Sequence, residues 1–196
     1  MTVRLLIGSS NPGKRAEYRE LLAGLDLELV TPDDLGGLPE PAEDAPEYRE
    51  NAMAKALMYQ RASGLMTVAD DSGLEVSALR GAPGVRSRRY FGDDATAAER
   101  NAGLLALLDG VTDRSARFVA VIALARTDGS VETFEGEVRG EIAAAPSGAD
   151  GFGYDPLFVI AGDGRTMAEL PSAEKNRISH RGLAAAKLRA VLADAP

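Results

Sequence analysis

The chain has 196 residues, 45% of them hydrophobic, and sets 22 Lys and Arg against 30 Asp and Glu for a formal net charge of −8. That composition supports a packed core in one domain spanning 1–196 and excludes disorder as the main theme; the acidic balance argues against nonspecific binding to nucleic acid or anionic membrane, so any anionic ligand requires a local basic site. Cysteine is absent, which rules out disulfides and thiolate chemistry, and no stretch reads as a signal peptide or membrane span, so a soluble cytoplasmic protein is expected.

Val3 to Gly8 is apolar nearly throughout and predicts a first, buried strand. It runs into Ser9-Ser10-Asn11-Pro12-Gly13-Lys14, where Asn11 suits a helix N-cap and Pro12 the first helical position, so a helix is expected to Gly24. Strand, polar turn and helix is the layout of a phosphate site. Lys14 is informative because a cation in the first turn opposes the helix dipole by about 0.3–1 kcal/mol. A helix start that accepts it is consistent with backbone amides and an ammonium converging on an anion. The spacing is not that of a Walker A motif, and an ordinary capped surface helix with an exposed lysine explains the segment equally well.

Leu27 to Val30 predicts a second strand, followed by an acidic loop to Pro46 that carries Asp33, Asp34, Glu40, Glu43 and Asp44, one of which could complete a metal site. The next segment is rich in helix formers, with an apolar stripe through Ala52, Ala56 and Tyr59 ending near Gly64. Lys55 lies beside that stripe, where lysines commonly snorkel to solvent.

Ala69-Asp70-Asp71-Ser72-Gly73 follows the apolar run Leu65 to Val68. Asp-Asp-Ser-Gly is ordinary turn chemistry, and two adjacent carboxylates at a strand end also suit a metal. If the backbone is extended there, the two side chains point to opposite faces, and only one aspartate can serve a given pocket. Leu74 to Leu79 predicts another strand, ahead of the loop Gly81 to Gly84 and a basic patch, Arg86 to Tyr90. The patch could face an anionic substrate or a partner subunit, or be surface decoration.

Thr96 to Leu108 predicts a helix with Leu104, Leu105 and Leu108 on its apolar side. Arg117 to Ala125 predicts a central buried strand, Asp128-Gly129 a two-residue hairpin turn, and Val131 to Ile142 the returning strand. Glycines 148, 151 and 153 surround Phe152 and Tyr154 before a short strand from Leu157 to Ile160. That loop either approaches a planar ligand, on which an aromatic face stacks for about 1–3 kcal/mol, or is plugged into the core by Phe152. Ser179 suits the N-cap of a last helix with Ala184, Leu188, Val191 and Leu192 on one face, which puts His180 and Arg181 in a first turn against the dipole. The fold expected is α/β, a mixed, twisted sheet with helices on both faces and a smaller second lobe, the active-site cleft lying between them.

Ser9-x-Asn11-x-x-Lys14, Glu50-Asn51-Ala52 with Lys55, Asp70-Asp71-Ser72-Gly73-Leu74, Gly81-Ala82-Pro83-Gly84, Gly151-Phe152-Gly153-Tyr154-Asp155-Pro156, Ala168-Glu169-Leu170, Glu174-Lys175 and Ser179-His180-Arg181-Gly182, in this order over essentially the whole chain, resemble the inosine triphosphate pyrophosphatase family of noncanonical purine nucleotide pyrophosphatases. The resemblance implies Mg2+-dependent hydrolysis of ITP, dITP and XTP between the α and β phosphates, releasing the monophosphate and pyrophosphate, by a homodimer that cleanses the nucleotide pool. It also implies that Asp71 is the proton acceptor and a metal ligand, with Glu43 the second carboxylate and Glu40, Asp44 and Glu47 its rivals. Ser9, Ser10, Asn11, Pro12, Gly13, Lys14, Lys55 and Ser72 would contact substrate, and Phe152, Gly153, Tyr154, Asp155, Lys175, His180 and Arg181 would hold the base and remaining phosphate oxygens.

The chemistry agrees, since attack of water on a crowded phosphorus calls for a hard cation on carboxylates and for Lys or Arg around the triphosphate. Two departures stand out: Ser9 replaces a usual Thr, keeping the hydroxyl, and Arg88 stands where a small residue is usual. A nucleotide sensor that does not hydrolyse, and a pyrophosphatase of pyrimidine triphosphates, are the competing readings.

Overall fold

The structure is a computed structural model that describes residues 2–39 and 41–193. Glu40, a rival for the second metal carboxylate, lies outside the described residues. Eleven principal elements follow one another: β1 (Val3–Ile7), α1 (Pro12–Leu21), β2 (Leu27–Val30), α2 (Tyr48–Ser63), β3 (Met66–Val76), α3 (Ala97–Leu107), β4 (Ser115–Ala125), β5 (Val131–Ile142), β6 (Phe158–Ile160), α4 (Ser172–Ile178) and α5 (His180–Ala193). The strands form one six-stranded sheet in the order β2-β1-β3-β4-β5-β6. It is mixed: β1 runs parallel to β2 and to β3, whereas β5 and β6 are antiparallel.

The chain divides into two compact units, one comprising Met1–Asp71, Ala120–Gly136 and Arg181–Pro196, the other Ser72–Val119 and Glu137–His180. In the first unit α1 and α5 cover one sheet face, packing Tyr18, Leu21, Ala184 and Leu188 against Leu5, Ile7, Val68 and Ile122. The opposite face is covered by α2, whose Ala52 and Ala56 meet Ala69, Val121, Ala123 and Ala125. Alanines on both partners let helix and sheet backbones approach closely. The second unit has its own core, in which Leu104 and Leu108 pack with Leu74, Val76, Phe118, Phe158 and Leu170. Burying a Leu or Phe side chain stabilises by roughly 1.5–3 kcal/mol.

One open reading is settled and two others change. The Asp-Asp-Ser-Gly segment is no turn: β3 continues through it as one eleven-residue strand, because the pleated backbone is stabilised by its sheet neighbours and overrides turn propensity. The expected strand to Leu79 stops at Val76, and Ser77–Leu79 form a 3-10 turn. The β4-β5 hairpin is closed by the Arg126 amide donating to the Ser130 carbonyl at 2.9 Å, leaving a loop of residues 127–129 rather than two residues. One helix goes unforeseen: α4 is too short and too charged to carry an apolar period.

Gly8 joins β1 to the polar turn, and its amide donates to the Val68 carbonyl at 2.7 Å. A Cβ there would lie 2.7 Å from the Tyr59 ring and 3.3 Å from both Thr67 and the Val68 carbonyl. Gly8→Ala therefore forces α2 or the turn to move, and it is expected to cost about 1–3 kcal/mol of stability, read as a lower denaturant midpoint at unchanged slope.

Candidate active site

β2 and β3 pair on opposite sides of β1, so the chain reverses its winding direction there. In open α/β sheets ligands settle outside the carboxyl ends of the strands at such a switch point. The carboxyl end of β1 carries the turn Ser9 to Lys14, and β3, which runs on past its last β1 pairing at Val68, places Asp70 and Asp71 beside it in mid-strand.

The turn is held by its own side chains. Asn11 Oδ1 accepts from the amides of Gly13 at 2.8 Å and Lys14 at 3.2 Å, and Ser9 Oγ accepts from the Asn11 amide at 3.2 Å. Arg15 Nε donates to the Ser9 carbonyl at 2.5 Å. The N-cap and the proline at the first helical position are as expected, but the first-turn amides already have an acceptor. Positive charge here comes from Lys14 itself.

Asp70 and Asp71 face opposite sides of β3. Asp70 shares the α1 and α5 side with Val68. Its Oδ2 lies 3.0 Å from Lys14 Nζ and accepts from Arg181 Nε at 3.2 Å and Nη2 at 3.1 Å. Arg181 Nη1 donates to Glu17 Oε2 at 2.6 Å. The Asp70 side chain is 0% exposed. Burial pushes its carboxyl up, but Lys14, Arg181 and Lys55 overcome that and hold it well below the usual carboxylate range. Lys14 is pressed below the ordinary lysine value by burial and by Lys55 and Arg181, against the pull of Asp70.

Asp71 faces α2. Its Oδ2 accepts from Asn51 Nδ2 at 2.9 Å, and its Oδ1 lies 4.0 Å from Lys55 Nζ. Lys55 Nζ in turn donates to Glu43 Oε1 at 2.5 Å. Asn51 also pairs with both backbone groups of Ala45, donating to its carbonyl at 3.1 Å and accepting from its amide at 3.0 Å, which ties the acidic loop to Asp71. Burial pushes the Asp71 carboxyl up; Lys55 and Lys14 pull it back, Glu43 raises it again, and the balance is upward. Lys55 is buried rather than snorkelling.

Among the described residues no cluster of three or more acidic or histidine side chains is placed to hold one metal ion. Asp71 and Glu43 both lie against the Lys55 ammonium, at 4.0 and 2.5 Å. Two hard carboxylate oxygens suit a Mg2+ ion, which keeps several waters and takes one or two carboxylates plus substrate phosphate oxygens. Of the other loop carboxylates, Asp44 and Glu47 are exposed.

In the second unit the loop around Phe152 is pinned from three elements. Asp155 Oδ2 accepts from Lys175 Nζ at 2.6 Å and from the Phe152 amide at 2.8 Å. Asn101 Nδ2 on α3 donates to the Gly153 carbonyl at 3.2 Å, and Tyr154 Oη donates to the Ser87 carbonyl at 3.0 Å. Burial pushes the Tyr154 phenol up to about 12. Gly151 has φ +74°, and a Cβ there would lie 2.2 Å from Asp155 Oδ2, so this turn requires glycine. Phe152 is only partly buried and carries Lys175 Nζ 5.0 Å over its ring; the residue that plugs the core is Tyr154. His180 stacks on Phe118 at 4.7 Å, and Ser72 is partly buried beside Gly73 in β3. Arg88 is exposed, and Arg89 half-buried.

Three contributors carry no role in the sequence reading: Asn51, Glu17 and Asp70 as a partner of both helix-start cations. Asn51 and Lys55 stand four apart on α2, and Lys14 and Glu17 three apart on α1, spacings that place each pair on one helix face.

Removing one partner of a buried ion pair leaves an uncompensated charge at a cost of about 3–5 kcal/mol. Lys175→Met is expected to lose that much in denaturant unfolding, and adding Asp155→Leu to return part of it. The depressed Asp70 carboxyl has a definite sign: its folded value lies below its unfolded value near 4. Its stabilisation is complete above about pH 4 and drains away as pH falls below that. The stability gap between wild type and Asp70→Asn should therefore be constant from pH 5 to 7 and shrink below pH 4.

The Ham1 family model matches residues 5–191. A dITP/XTP pyrophosphatase of Syntrophobacter fumaroxidans is 48% identical over 94% of this chain and 80% of that protein, and one of Aromatoleum aromaticum is 48% identical over 100% of both. The solved structure of a HAM1 protein from Coxiella burnetii is 42% identical, with a TM-score of 0.89 over 98% of this chain and 100% of that one. With the same fold and a family match running from β1 into α5, the chain belongs to the Ham1 family.

Proposed function

We propose that this protein hydrolyses the noncanonical purine triphosphates ITP, dITP and XTP between the α and β phosphates, releasing the nucleoside monophosphate and pyrophosphate. The observation that carries the reading is the convergence of Lys14, Lys55, Asp71 and Glu43 past the carboxyl end of β1, in a chain of net charge −8. The names of the relatives, dITP/XTP pyrophosphatase, support the substrate class.

Asp71 and Glu43 would hold a Mg2+ ion, which when bound neutralises phosphate charge and polarises the phosphoryl oxygens. Asn51 holds Asp71 in orientation from one side. Asp71, its carboxyl raised by burial and by Glu43, accepts the proton of the attacking water. Lys14 and Lys55 set ammonium charge against the triphosphate oxygens, and Ser9, Ser10, Asn11 and Ser72 supply further polar contacts. On the family resemblance the base and the remaining phosphate oxygens fall to Phe152, Gly153, Tyr154, Asp155, Lys175, His180 and Arg181. A 6-oxo group accepts a hydrogen bond where the 6-amino group of adenine cannot, and a buried donor left unpaired costs about 1–3 kcal/mol. The homodimer and the cytoplasmic location belong to this reading on the resemblance alone.

The test is pyrophosphate release from ITP, XTP, dITP, GTP, ATP, UTP and dTTP. Turnover is expected with the first three, abolished by chelation and restored by Mg2+, and reduced by several orders of magnitude in Asp71→Asn. Folded protein that binds ITP or XTP without hydrolysing it would point to a sensor, and a preference for UTP or dTTP to the pyrimidine reading.

A further inference from the structure

We infer that Asp70 is a positioning residue: it holds the Lys14 ammonium in place for the triphosphate while making no contact with substrate itself. The inference rests on the reading of the site as a triphosphate site.

Four observations carry it. The Asp70 side chain is 0% exposed, while that of Lys14, at 15%, keeps a face toward solvent. One oxygen, Asp70 Oδ2, collects Lys14 Nζ at 3.0 Å and Arg181 Nε and Nη2 at 3.2 and 3.1 Å. The fork of Arg181 is closed on its other side by Glu17, one turn along α1 from Lys14, at 2.6 Å. Asp71, the neighbouring carboxylate, turns to α2 and takes Asn51 and Lys55 instead.

Lys14 and Arg181 are both cations in the first turn of a helix, where each opposes the dipole. A single sealed carboxylate on β3 answers both, and so links the start of α1 to the start of α5. Stability alone is a poor reason for such a device, since buried ion clusters replaced by apolar side chains of similar volume often cost nothing. What an apolar cluster cannot do is keep an ammonium charged and aimed. Without Asp70, Asp71 is the other carboxylate whose charge acts on Lys14, and an ammonium drawn there would leave the phosphate and crowd the carboxylate that serves water.

The readout is a double-mutant cycle between Asp70→Asn and Lys14→Met. It is followed in kcat/KM for ITP and, independently of turnover and of the base, in calorimetric binding of inorganic tripolyphosphate. Each single substitution should weaken tripolyphosphate binding and lower kcat/KM by about ten- to a hundredfold, and the second substitution should then add less than about threefold, because coupled residues do not add. Losses that simply add in a folded protein would mean that Asp70 acts only on stability, and would overturn the inference. Asp70→Glu guards against a failure of the Asn variant to fold: it keeps the charge and moves it by one methylene. Its expected signature, read in protein that is folded at the assay temperature, is weaker tripolyphosphate binding, by about tenfold; unchanged binding overturns the inference. Wild-type protein that neither turns over ITP nor binds tripolyphosphate sinks the triphosphate reading itself, whereas normal wild-type behaviour with a silent Asp70→Glu sinks only the role of Asp70.

Discussion

The sealed carboxylate of Asp70 is the constraint on which the rest of the first unit depends. An isolated ion in the interior is prohibitively costly, so the charges around it exist as a set: Lys14 and Arg181 on Asp70, and Glu17 on the free edge of Arg181. The set ties together three elements distant in sequence, α1, β3 and α5. It also accounts for two helix starts whose first-turn cations look wrong when each helix is considered alone. Strand geometry does the rest. With Asp70 committed to one face, period two sends Asp71 to the other, where α2 supplies Asn51 and Lys55.

Much of this was legible from residue order. The apolar stripe of α2 is buried at Ala52, Ala56 and Tyr59, and the limits of β2 and β5 fall where composition puts them. Asn11 caps α1. These features are local, decided by side-chain period and by capping chemistry within a few residues. The Asp-Asp segment stood open between turn and strand for the opposite reason: its strand state is imposed by the neighbouring strands, which no local propensity reports. The same holds in the Phe152 loop, where two aromatics two residues apart compete for the core. Tyr154 wins because its phenol finds the Ser87 carbonyl, a partner 67 positions away. Opposite faces for Asp70 and Asp71 followed from the pleat; which face belonged to which required α1, α2 and α5 to be in place.

The second unit shows the same economy with a different purpose. Asp155 uses one oxygen for the Lys175 ammonium and for the Phe152 amide, so a single buried carboxylate sets both the backbone of the loop and the cation above the aromatic ring. Gly151 admits that carboxylate at a distance no Cβ tolerates. A loop so pinned presents Phe152 in one orientation, which reduces the ordering cost of any planar ligand that stacks on it.

The two lysines of the first unit differ in kind although both are paired. Lys14 is tied to a carboxylate that is 0% exposed and that no solvent ion reaches. Lys55 is tied to Glu43, which is 27% exposed, and stands near Asp71, the pair whose chemistry suits a divalent cation. An ion taking those oxygens competes with the Lys55 ammonium for the same acceptors, while the partners of Lys14 are untouched. Lys14 is therefore a fixed charge, and Lys55 would be an exchangeable one wherever a cation took those oxygens. Lys55 compensates Glu43 and stands near Asp71 while Asp70 compensates Lys14, so each charge of the cluster has an opposite charge beside it within the protein.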